Sequence, residues 1–264
     1  MGYKTLNFEI VDRVAWIRLI RPALNLHMAN ELMDVAWTCE QDDTIRVIVI
    51  TGTDNTFSFG GDLKSFALGE EDVSKHLKRV TIPLHEAISR FVRMKKPVIT
   101  GVNGIAAGAG MSLAMIGDIV IVVESAKLTM AYTNVGLTPD GSSSYFLPRL
   151  VGIKRALELT LTNRVLTAME AVEWGIATKV VSDEHLEVEL NELASQICEG
   201  PVHAYGAAKL LLYNSDEQTL ESQMALESDL IATRAGSEEG KEGISAFIEK
   251  RKASFIDNDE QHND

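Results

Sequence analysis

The sequence predicts an α/β fold in which units of strand, strand and helix recur and form a spiral of small sheets. Three segments rich in apolar and β-branched residues are predicted strands: 45–50, 97–102 and 178–181. From His203 onward the apolar spacing is helical, and Gly200-Pro201 marks the change. We therefore expect a spiral core of repeated ββα units in residues 1–200 and a helical region in residues 201–264.

The N-terminal residues alternate between polar and apolar side chains over residues 5–10 and again over residues 14–20. A turn at Asp12-Arg13 between these runs predicts a β-hairpin. An amphipathic helix is expected before the strand at residues 45–50, because apolar side chains follow at helical spacing: Met28, Leu32, Val35 and Ala36.

A second helix is predicted over residues 75–93, kinked or restarted at Pro83. The polar residues 63–72 that precede it are expected to form a mobile flap. His85 lies within the helix, and we interpret it as a packed or surface histidine rather than a catalytic one. The polar tail, residues 257–264, is predicted to be disordered.

The composition is that of a globular protein with a sizeable core, since 45% of the 264 residues are hydrophobic. The formal net charge of −13 argues against nonspecific binding to nucleic acid, which requires a basic surface. Cys39 and Cys198 fit no metal or redox spacing and are expected to be ordinary core thiols of a reducing compartment. The sequence opens with no signal-peptide pattern and contains no apolar run of membrane-spanning length, so we expect a cytoplasmic protein without a membrane partner.

Two glycine-rich loops follow predicted strands, and each is expected to open a helix. In the second loop, Ala109 and Gly110 would present backbone N–H groups at a positive helix N-terminus with no bulky side chain above them. The first loop contains Gly60-Gly61. Small residues also let a helix pack closely on a strand, so either loop alone has a purely structural interpretation. Together they can direct two N–H groups at one carbonyl oxygen, which predicts an oxyanion site.

Both loops carry motifs that resemble those of the enoyl-CoA hydratase/isomerase (crotonase) family. The family's Phe-Ser-x-Gly-x-Asp-Leu and Asn-Gly-x-Ala-x-Gly-x-Gly signatures stand here as Phe57 to Leu63 and Asn103 to Gly110. The resemblance covers nearly the whole chain and implies a crotonase spiral fold with an acyl-CoA thioester as substrate. Coenzyme A is then part of the substrate, and no separate metal or redox cofactor is expected. The C-terminal helices would form a trimerisation region, giving a homotrimer or a dimer of trimers.

The resemblance also implies which groups carry the chemistry. The backbone amides of Gly61 and Ala109 would stabilise the thioester oxygen as it acquires enolate character. Hydratases of the family use two glutamates, and the motifs align those positions with Ser112 and Tyr132. Neither side chain ionises unaided at neutral pH, so ordinary hydration of an enoyl-CoA is not expected.

Asp140 lies in a Pro-Asp-Gly segment before a predicted helix, where a helix N-cap is the purely structural interpretation. Some family members that shift double bonds or rearrange CoA thioesters, such as the epoxyphenylacetyl-CoA isomerases, use an aspartate in this setting as acid and base. One carboxylate suffices to remove and return a proton. We therefore expect an acyl-CoA isomerase with Asp140 as its catalytic carboxylate.

Seven further residues are candidates for substrate binding through the same resemblance: Phe59, Asp62, Leu63, Ser112, Tyr132, Phe247 and Lys250. Those of the first motif would border the path of coenzyme A, and the next two would shape the acyl pocket. The last two would contact the adenosine-phosphate end, from an adjacent subunit if chains associate. A basic helix end favoured by the helix dipole is the alternative interpretation of that last pair.

Two other functions remain open at this stage. Aryl-CoA dehalogenases of the family use an aspartate at the Asp140 position as a nucleophile, but they also rely on a tryptophan where this chain has Tyr132. Some relatives of the fold bind RNA or protein without catalysis, and Asp140 acting only as a helix cap would fit that function.

Overall fold

A computed structural model describes residues 2–68 and 72–256. Residues 69–71 of the predicted flap and the predicted disordered tail lie outside the described residues. The described strands are β1 (Leu6–Val11), β2 (Val14–Leu19), β3 (Ala23–Leu24), β4 (Val47–Gly52), β5 (Thr56–Ser58), β6 (Gly60–Gly61), β7 (Val98–Val102), β8 (Ile105–Ala107), β9 (Ile119–Val123), β10 (Lys127–Thr129), β11 (Leu166–Thr167) and β12 (Lys179–Val181).

The described α-helices are α1 (Leu26–Gln41), α2 (Leu63–Leu68), α3 (Val73–Arg93), α4 (Ala109–Ala114), α5 (Ser143–Val151), α6 (Ile153–Thr162), α7 (Ala168–Glu173), α8 (Leu186–Cys198), α9 (Val202–Asn214), α10 (Leu220–Gly236) and α11 (Glu238–Glu249). Short 3₁₀ turns, one of them at Tyr132–Val135, join some of these elements. None of the described helices is long and apolar enough to cross a membrane.

Three sheets organise the described part of the chain. The largest has the order β1-β2-β4-β7-β9-β12, with an antiparallel β1–β2 hairpin at one edge and parallel pairing elsewhere. The second has the order β11-β10-β8-β5, and β3 pairs with β6 in the third. Within one turn of the spiral, successive strands join different sheets. The predicted α/β spiral of ββα units is therefore confirmed.

The hairpin turn follows directly from its sequence. Asp12 and Arg13 both have positive φ, 49° and 66°, which matches the right-handed twist of the two strands they join. The predicted amphipathic helix is α1, whose apolar stripe is buried and whose N-cap is Asn25.

Helix α3 runs without interruption from Val73 to Arg93, so of the two alternatives predicted at Pro83, a kink or a restart, the restart is wrong. Pro83 is buried among the apolar residues of the helix. Proline in a helix interior costs about 3 kcal/mol because it removes a hydrogen bond and crowds the preceding turn. Burial of the long apolar face, which packs mainly against α1, outweighs that cost.

The second sheet places the two motif loops side by side. Asn103 Oδ1 accepts a hydrogen bond from Gly52 N at 3.1 Å, and Asn103 Nδ2 donates to Asp54 O at 2.7 Å. A Cβ added at Gly110 would lie 2.3 Å from Ser58 O, so α4 can start against β5 only with glycine there. Gly110 therefore lets the second motif pack against the first, and Asn103 ties the second motif to the turn that leads into the first.

A buried cation attaches the C-terminal helices to this core. Lys209 on α9 donates from Nζ to Asp118 Oδ2 at 2.8 Å and to the carbonyl oxygens of Phe91 and Lys96. Burial lowers the pKa of Lys209, and the Asp118 carboxylate opposes that effect. Helix α10, by contrast, has no buried residue in the single chain.

Candidate active site

The first motif forms a loop whose backbone is fixed by Ser58. This buried side chain donates from Oγ to Pro22 O at 3.1 Å and accepts from Gly60 N at 3.1 Å. Asp62 then starts α2, because its Oδ1 accepts from Ser65 N at 3.2 Å and its own N–H donates to Leu24 O. Asp62, predicted to bind substrate, therefore has a helix-starting role in the structure.

The second motif touches the first at Gly60. This residue has φ +80°, and a Cβ placed on it would lie 2.6 Å from Ala107 O and 3.0 Å from Ala109 N. Gly108 precedes α4 with φ +53°, and the first backbone bond of the helix runs from Ser112 N to Gly108 O. The N–H of Ala109 consequently has no acceptor within its helix and lies next to the loop that carries Gly61.

Ser112, which lies on α4, forms one hydrogen-bonded cluster with Tyr132 and Asp140. Tyr132 Oη donates to Asp140 Oδ1 at 2.6 Å. Ser112 Oγ, which is fully buried, lies 2.9 Å from Tyr132 Oη and 3.0 Å from the backbone oxygen of Asp140. Three residues that are distant in the sequence and that the motif alignment singled out are thus brought together.

The negative charge of this cluster belongs to Asp140. Burial first, and then the Asp140 carboxylate, raise the pKa of Tyr132 far above its ordinary value, so the phenol stays protonated and donates. Ser112 carries a neutral hydroxyl at any ordinary pH. The cluster therefore holds one carboxylate oriented by a neutral donor.

Asp140 does not cap the following helix. Helix α5 begins at Ser143, and the residue at its N-cap position is Ser142, whose backbone is left-handed. The Asp140 carboxylate instead bonds to Tyr132 through Oδ1, and its Oδ2 lies 3.6 Å from His85 Nε2. That separation is longer than a hydrogen bond, so Oδ2 keeps lone pairs for accepting a proton.

His85, interpreted from the sequence as packed or on the surface, borders this site. Its Nε2 accepts a hydrogen bond from Gly141 N at 3.2 Å, and its side chain is 50% exposed. The sequence held one signal for this placement: His85, Ile88 and Val92 share helical spacing, which puts them on one face of α3. That face lines a cavity of about 290 Å³ between α3 and α5, beside Asp140.

The remaining predicted residues fall into two groups. Phe59 and Leu63 lie on either side of the first loop with side chains about half exposed, as a surface path for a ligand requires. Phe247 is strongly exposed on α11, and Lys250 ends that helix with φ +58°. Among the described elements, α11 packs mainly against α10, so one chain does not place this last pair within the Asp140 cluster.

Known proteins with several activities are similar to this chain over most of its length. The family model described as enoyl-CoA hydratase/isomerase matches residues 9–258. A 1,2-epoxyphenylacetyl-CoA isomerase of Escherichia coli is 37% identical, over 88% of this chain and 89% of its own. A 4-chlorobenzoyl coenzyme A dehalogenase of an Arthrobacter species is 32% identical, over 94% and 92%. A trans-2-decenoyl-[acyl-carrier-protein] isomerase of Streptococcus mutans is 30% identical, over 97% and 99%.

Solved structures show the same fold. An enoyl-CoA hydratase/isomerase from Cupriavidus metallidurans superposes with a TM-score of 0.87 at 30% identity, over 97% of both chains. An enoyl-CoA hydratase from a Polaromonas species gives a TM-score of 0.90 at 29% identity, over 94% of this chain and 98% of that one. The fold is the crotonase fold, and the chain belongs to the enoyl-CoA hydratase/isomerase family.

Proposed function

We propose that this protein is an acyl-CoA isomerase, which removes a proton from the acyl group of a CoA thioester and returns it at another carbon. The observation that carries the proposal is the pairing of one carboxylate with two neutral hydroxyls. Asp140 is the carboxylate, and Ser112 and Tyr132 stand where hydratases of the family have glutamates. The Asp140 carboxylate can take up a proton as a base and then return it as an acid, and a proton shift needs no other titrating group.

The reaction begins when Oδ2 of Asp140 takes a proton from the carbon between the thioester and a 3,4 double bond. The electron pair of that C–H bond moves into the thioester, whose carbonyl becomes an enolate. The N–H groups of Gly61 and Ala109 donate to that oxygen as its charge develops. Losing one such donor typically costs roughly 3–4 kcal/mol of transition-state stabilisation.

The second half of the reaction returns the proton. Protonated Asp140 delivers it to the carbon at the far end of the dienolate, and the double bond then lies between carbons 2 and 3. Tyr132 donates to Oδ1 throughout, so the carboxyl group turns its other oxygen to the substrate in both steps. The net change is a shift of one proton and one double bond, with no other reactant.

Hydration is the less suitable reaction for this site. Adding water to a double bond requires a base for the water and an acid for the carbon. The raised pKa of Tyr132 keeps its phenol neutral, and a serine hydroxyl is a weaker acid still, so neither serves as the water-activating base.

A dehalogenase function is favoured by one observation, the 3.6 Å separation of His85 Nε2 and Asp140 Oδ2. In such a reaction Asp140 would displace a ring substituent, and a base would then activate water to cleave the aryl ester. The Nε2 lone pair of His85 already accepts the Gly141 N–H, so the base would first have to give up that bond. We therefore place dehalogenation second.

The deciding experiment offers the purified protein a panel of thioesters: 3-hexenoyl-CoA, 2-hexenoyl-CoA and 4-chlorobenzoyl-CoA. We expect 3-hexenoyl-CoA to become 2-hexenoyl-CoA, with deuterium incorporated from deuterated water. Chloride release from 4-chlorobenzoyl-CoA without isomerisation would overturn the proposal in favour of dehalogenation. Absence of any heat of binding with acetyl-CoA in calorimetry would instead indicate a non-catalytic member of the fold.

A further inference from the structure

Ser142 combines two unfavourable features next to the proposed catalytic carboxylate. Its Oγ is buried and has no hydrogen-bond partner among the described residues. Its backbone has φ +72°, in the left-handed region that serine seldom adopts. A buried hydroxyl without a partner is destabilising, and such groups in native proteins are few. Backbone strain of this kind is concentrated at functional sites, where a ligand can supply what the protein lacks.

The surroundings of Ser142 indicate what that ligand group is. Ser142 lines the 290 Å³ cavity between α3 and α5, together with the apolar residues Ile88, Val92 and Phe146. His85 lines the same cavity and also lies 3.6 Å from Asp140 Oδ2. The cavity therefore adjoins the proposed catalytic carboxylate, and its wall is mixed, because Ser89, Arg93 and Tyr145 line it beside the apolar side chains and Ser142.

The volume limits what can enter. A water molecule occupies about 30 Å³ in the liquid and a methylene group is of similar size, so the cavity holds roughly ten non-hydrogen atoms. That is at the lower end of the range for ligand pockets, about 300–1,000 Å³. A ring or a short chain fits within this space, whereas a long fatty acyl chain would extend beyond it into solvent.

We propose that this cavity receives the end of the acyl group farthest from the thioester, and that Ser142 Oγ, turned from its buried position towards the cavity by rotation about the Cα–Cβ bond, donates a hydrogen bond to an oxygen atom carried by that end. The inference rests on the proposed function, because it takes Asp140 as the group that meets the acyl chain. It assigns the preferred substrates to CoA thioesters of short acyl groups bearing a hydroxyl or keto oxygen. A site built to pair with such an oxygen rejects an analogue that lacks it, because its own polar group then stays unpaired.

The test compares saturated thioesters of matched shape, so that no turnover is needed. Calorimetry measures the binding of two matched pairs. In the first pair, 6-hydroxyhexanoyl-CoA has a hydroxyl where heptanoyl-CoA has a methyl group. In the second pair, 5-oxohexanoyl-CoA has a keto oxygen where 5-methylhexanoyl-CoA has a methyl group. We expect the wild-type protein to bind one or both oxygen-bearing ligands about three- to tenfold more tightly than their partners, the range of one net hydrogen bond.

Two variants remove the hydroxyl, and a third provides the matched control. Ser142→Ala deletes Oγ, and Ser142→Gly does so while relieving the left-handed backbone, so its melting temperature should hold or rise. Each of these two variants should bind the two ligands of a pair with affinities that differ by less than twofold. Ser144→Ala, at an exposed position two residues on, should keep the wild-type preference.

A further variant tests the cavity independently of Ser142. Ser89→Phe places a large side chain in the cavity wall from an exposed position of α3. It should weaken binding of heptanoyl-CoA while leaving binding of free coenzyme A unchanged. Unaltered affinity for heptanoyl-CoA would mean that the acyl end lies elsewhere.

The other outcomes separate this inference from the proposed function. Equal affinity within both pairs in the wild-type protein, or a preference that persists in Ser142→Ala, overturns the role of Ser142 even if isomerisation is observed. If none of the four thioesters binds, the CoA ligand is wrong, and the proposed function and this inference are both overturned.

Discussion

Tyr132 Oη donates a 2.6 Å hydrogen bond to Asp140 Oδ1, and this bond joins the proposed catalytic carboxylate to a residue that the motif alignment singled out. Hydratases of the family have a glutamate where this chain has Tyr132. Here that position supplies a donor to a carboxylate provided by the loop before α5. In the proposed mechanism, one acid and a neutral partner that orients it take the place of two acidic residues.

Removing that donor should slow the reaction without stopping it. In Tyr132→Phe the carboxylate loses a hydrogen bond to its charged form, worth about 1.5–3 kcal/mol. We expect kcat for 3-hexenoyl-CoA to fall roughly tenfold or more while affinity for acetyl-CoA is kept. The measurement is steady-state kinetics of the variant beside the wild-type protein. An unchanged kcat would show that Tyr132 only fills space.

The alkaline limb should not depend on Tyr132. The pKa of Tyr132 is raised, so the donating phenol is present below the ordinary tyrosine value of about 10 and is lost only above it. We expect the wild-type rate to show no Tyr132-dependent loss between pH 7 and pH 10. If the rate fell between pH 7 and pH 10 in the wild-type protein but not in Tyr132→Phe, the raised pKa of Tyr132 would be contradicted.

Asp140→Asn tests the base directly. Asparagine keeps the size of the side chain and can still accept from Tyr132, but it does not take a proton from carbon. We expect isomerisation to fall by roughly two to four orders of magnitude. Affinity for acetyl-CoA and the melting temperature should hardly move. Deuterium exchange into the substrate should vanish with turnover.

The matched control for this variant is Asp43→Asn, the same chemical change at an exposed position. It should leave the rate unchanged. If Asp140→Asn keeps full isomerase activity, the base has been assigned to the wrong residue, and His85 would be tested next because of its 3.6 Å approach to Asp140.

Gly61→Pro removes one proposed oxyanion donor without changing the charge. Gly61 lies in β6, paired with Leu24, so circular dichroism must first show that the variant is folded. A folded Gly61→Pro protein should bind free coenzyme A and show no measurable turnover. Turnover retained by that folded protein would place the oxyanion site elsewhere.

Gly60→Ala tests the packing of the two motif loops rather than the oxyanion donor. Its new Cβ would meet Ala107 O at 2.6 Å at a residue whose φ is +80°. We expect a loss of stability of about 1–3 kcal/mol, seen as a lower midpoint in urea, because the two motif loops must move apart. A midpoint equal to that of the wild-type protein would mean that the loops separate freely.

The sequence predicted most strongly those parts of the site that are built locally. The two motifs contain their own turns and glycines, so the contact of Gly60 with Ala109 is specified by the residues that make it. The hairpin at Asp12-Arg13 is a similar case. Alignment of the motifs also indicated Ser112 and Tyr132, although not the hydrogen bond that Tyr132 makes with Asp140.

Features that depend on packing between distant segments could not be predicted in the same way. His85 meets Asp140 only because α3 crosses the loop before α5, and no local pattern specifies that crossing. The start of α5 depends on the left-handed backbone of Ser142, for which serine has no strong preference. A helix cap was therefore the structural alternative for Asp140 in the sequence, whereas in the structure its carboxylate bonds to Tyr132.

We further propose that residues 201–264 associate the chains into trimers or dimers of trimers. Helix α10 has no buried residue in the single chain and exposes three large apolar side chains: Leu220, Met224 and Ile231. Covering them would remove apolar surface from water at about 25 cal/mol per Å². Light scattering at micromolar concentration should give a trimer or hexamer, and Ile231→Glu should shift it towards monomer. Glu221→Ala on the same helix should not. A wild-type monomer would count against association.

Lys250 is a candidate contact for the end of coenzyme A that lies farthest from the chemistry. If Lys250 contacts its phosphates, removing the charge should weaken binding of hexanoyl-CoA about threefold, as expected for one exposed ion pair. Lys250→Asn is the suitable change, because asparagine tolerates the φ of +58° that Lys250 adopts at the end of α11. Lys241→Asn, on the same helix, is the matched control.

The ligand can be altered as well as the protein. Hexanoyl-pantetheine keeps the thioester and lacks the adenosine phosphates, so Lys250→Asn should bind it as well as the wild-type protein does. The threefold difference for hexanoyl-CoA should also shrink at 0.5 M salt, because exposed charges are screened over a few ångströms there. Equal weakening of both ligands would show that the substitution disturbs α11 rather than a phosphate contact. Unchanged affinity for both would leave Lys250 as a helix end favoured by the dipole alone.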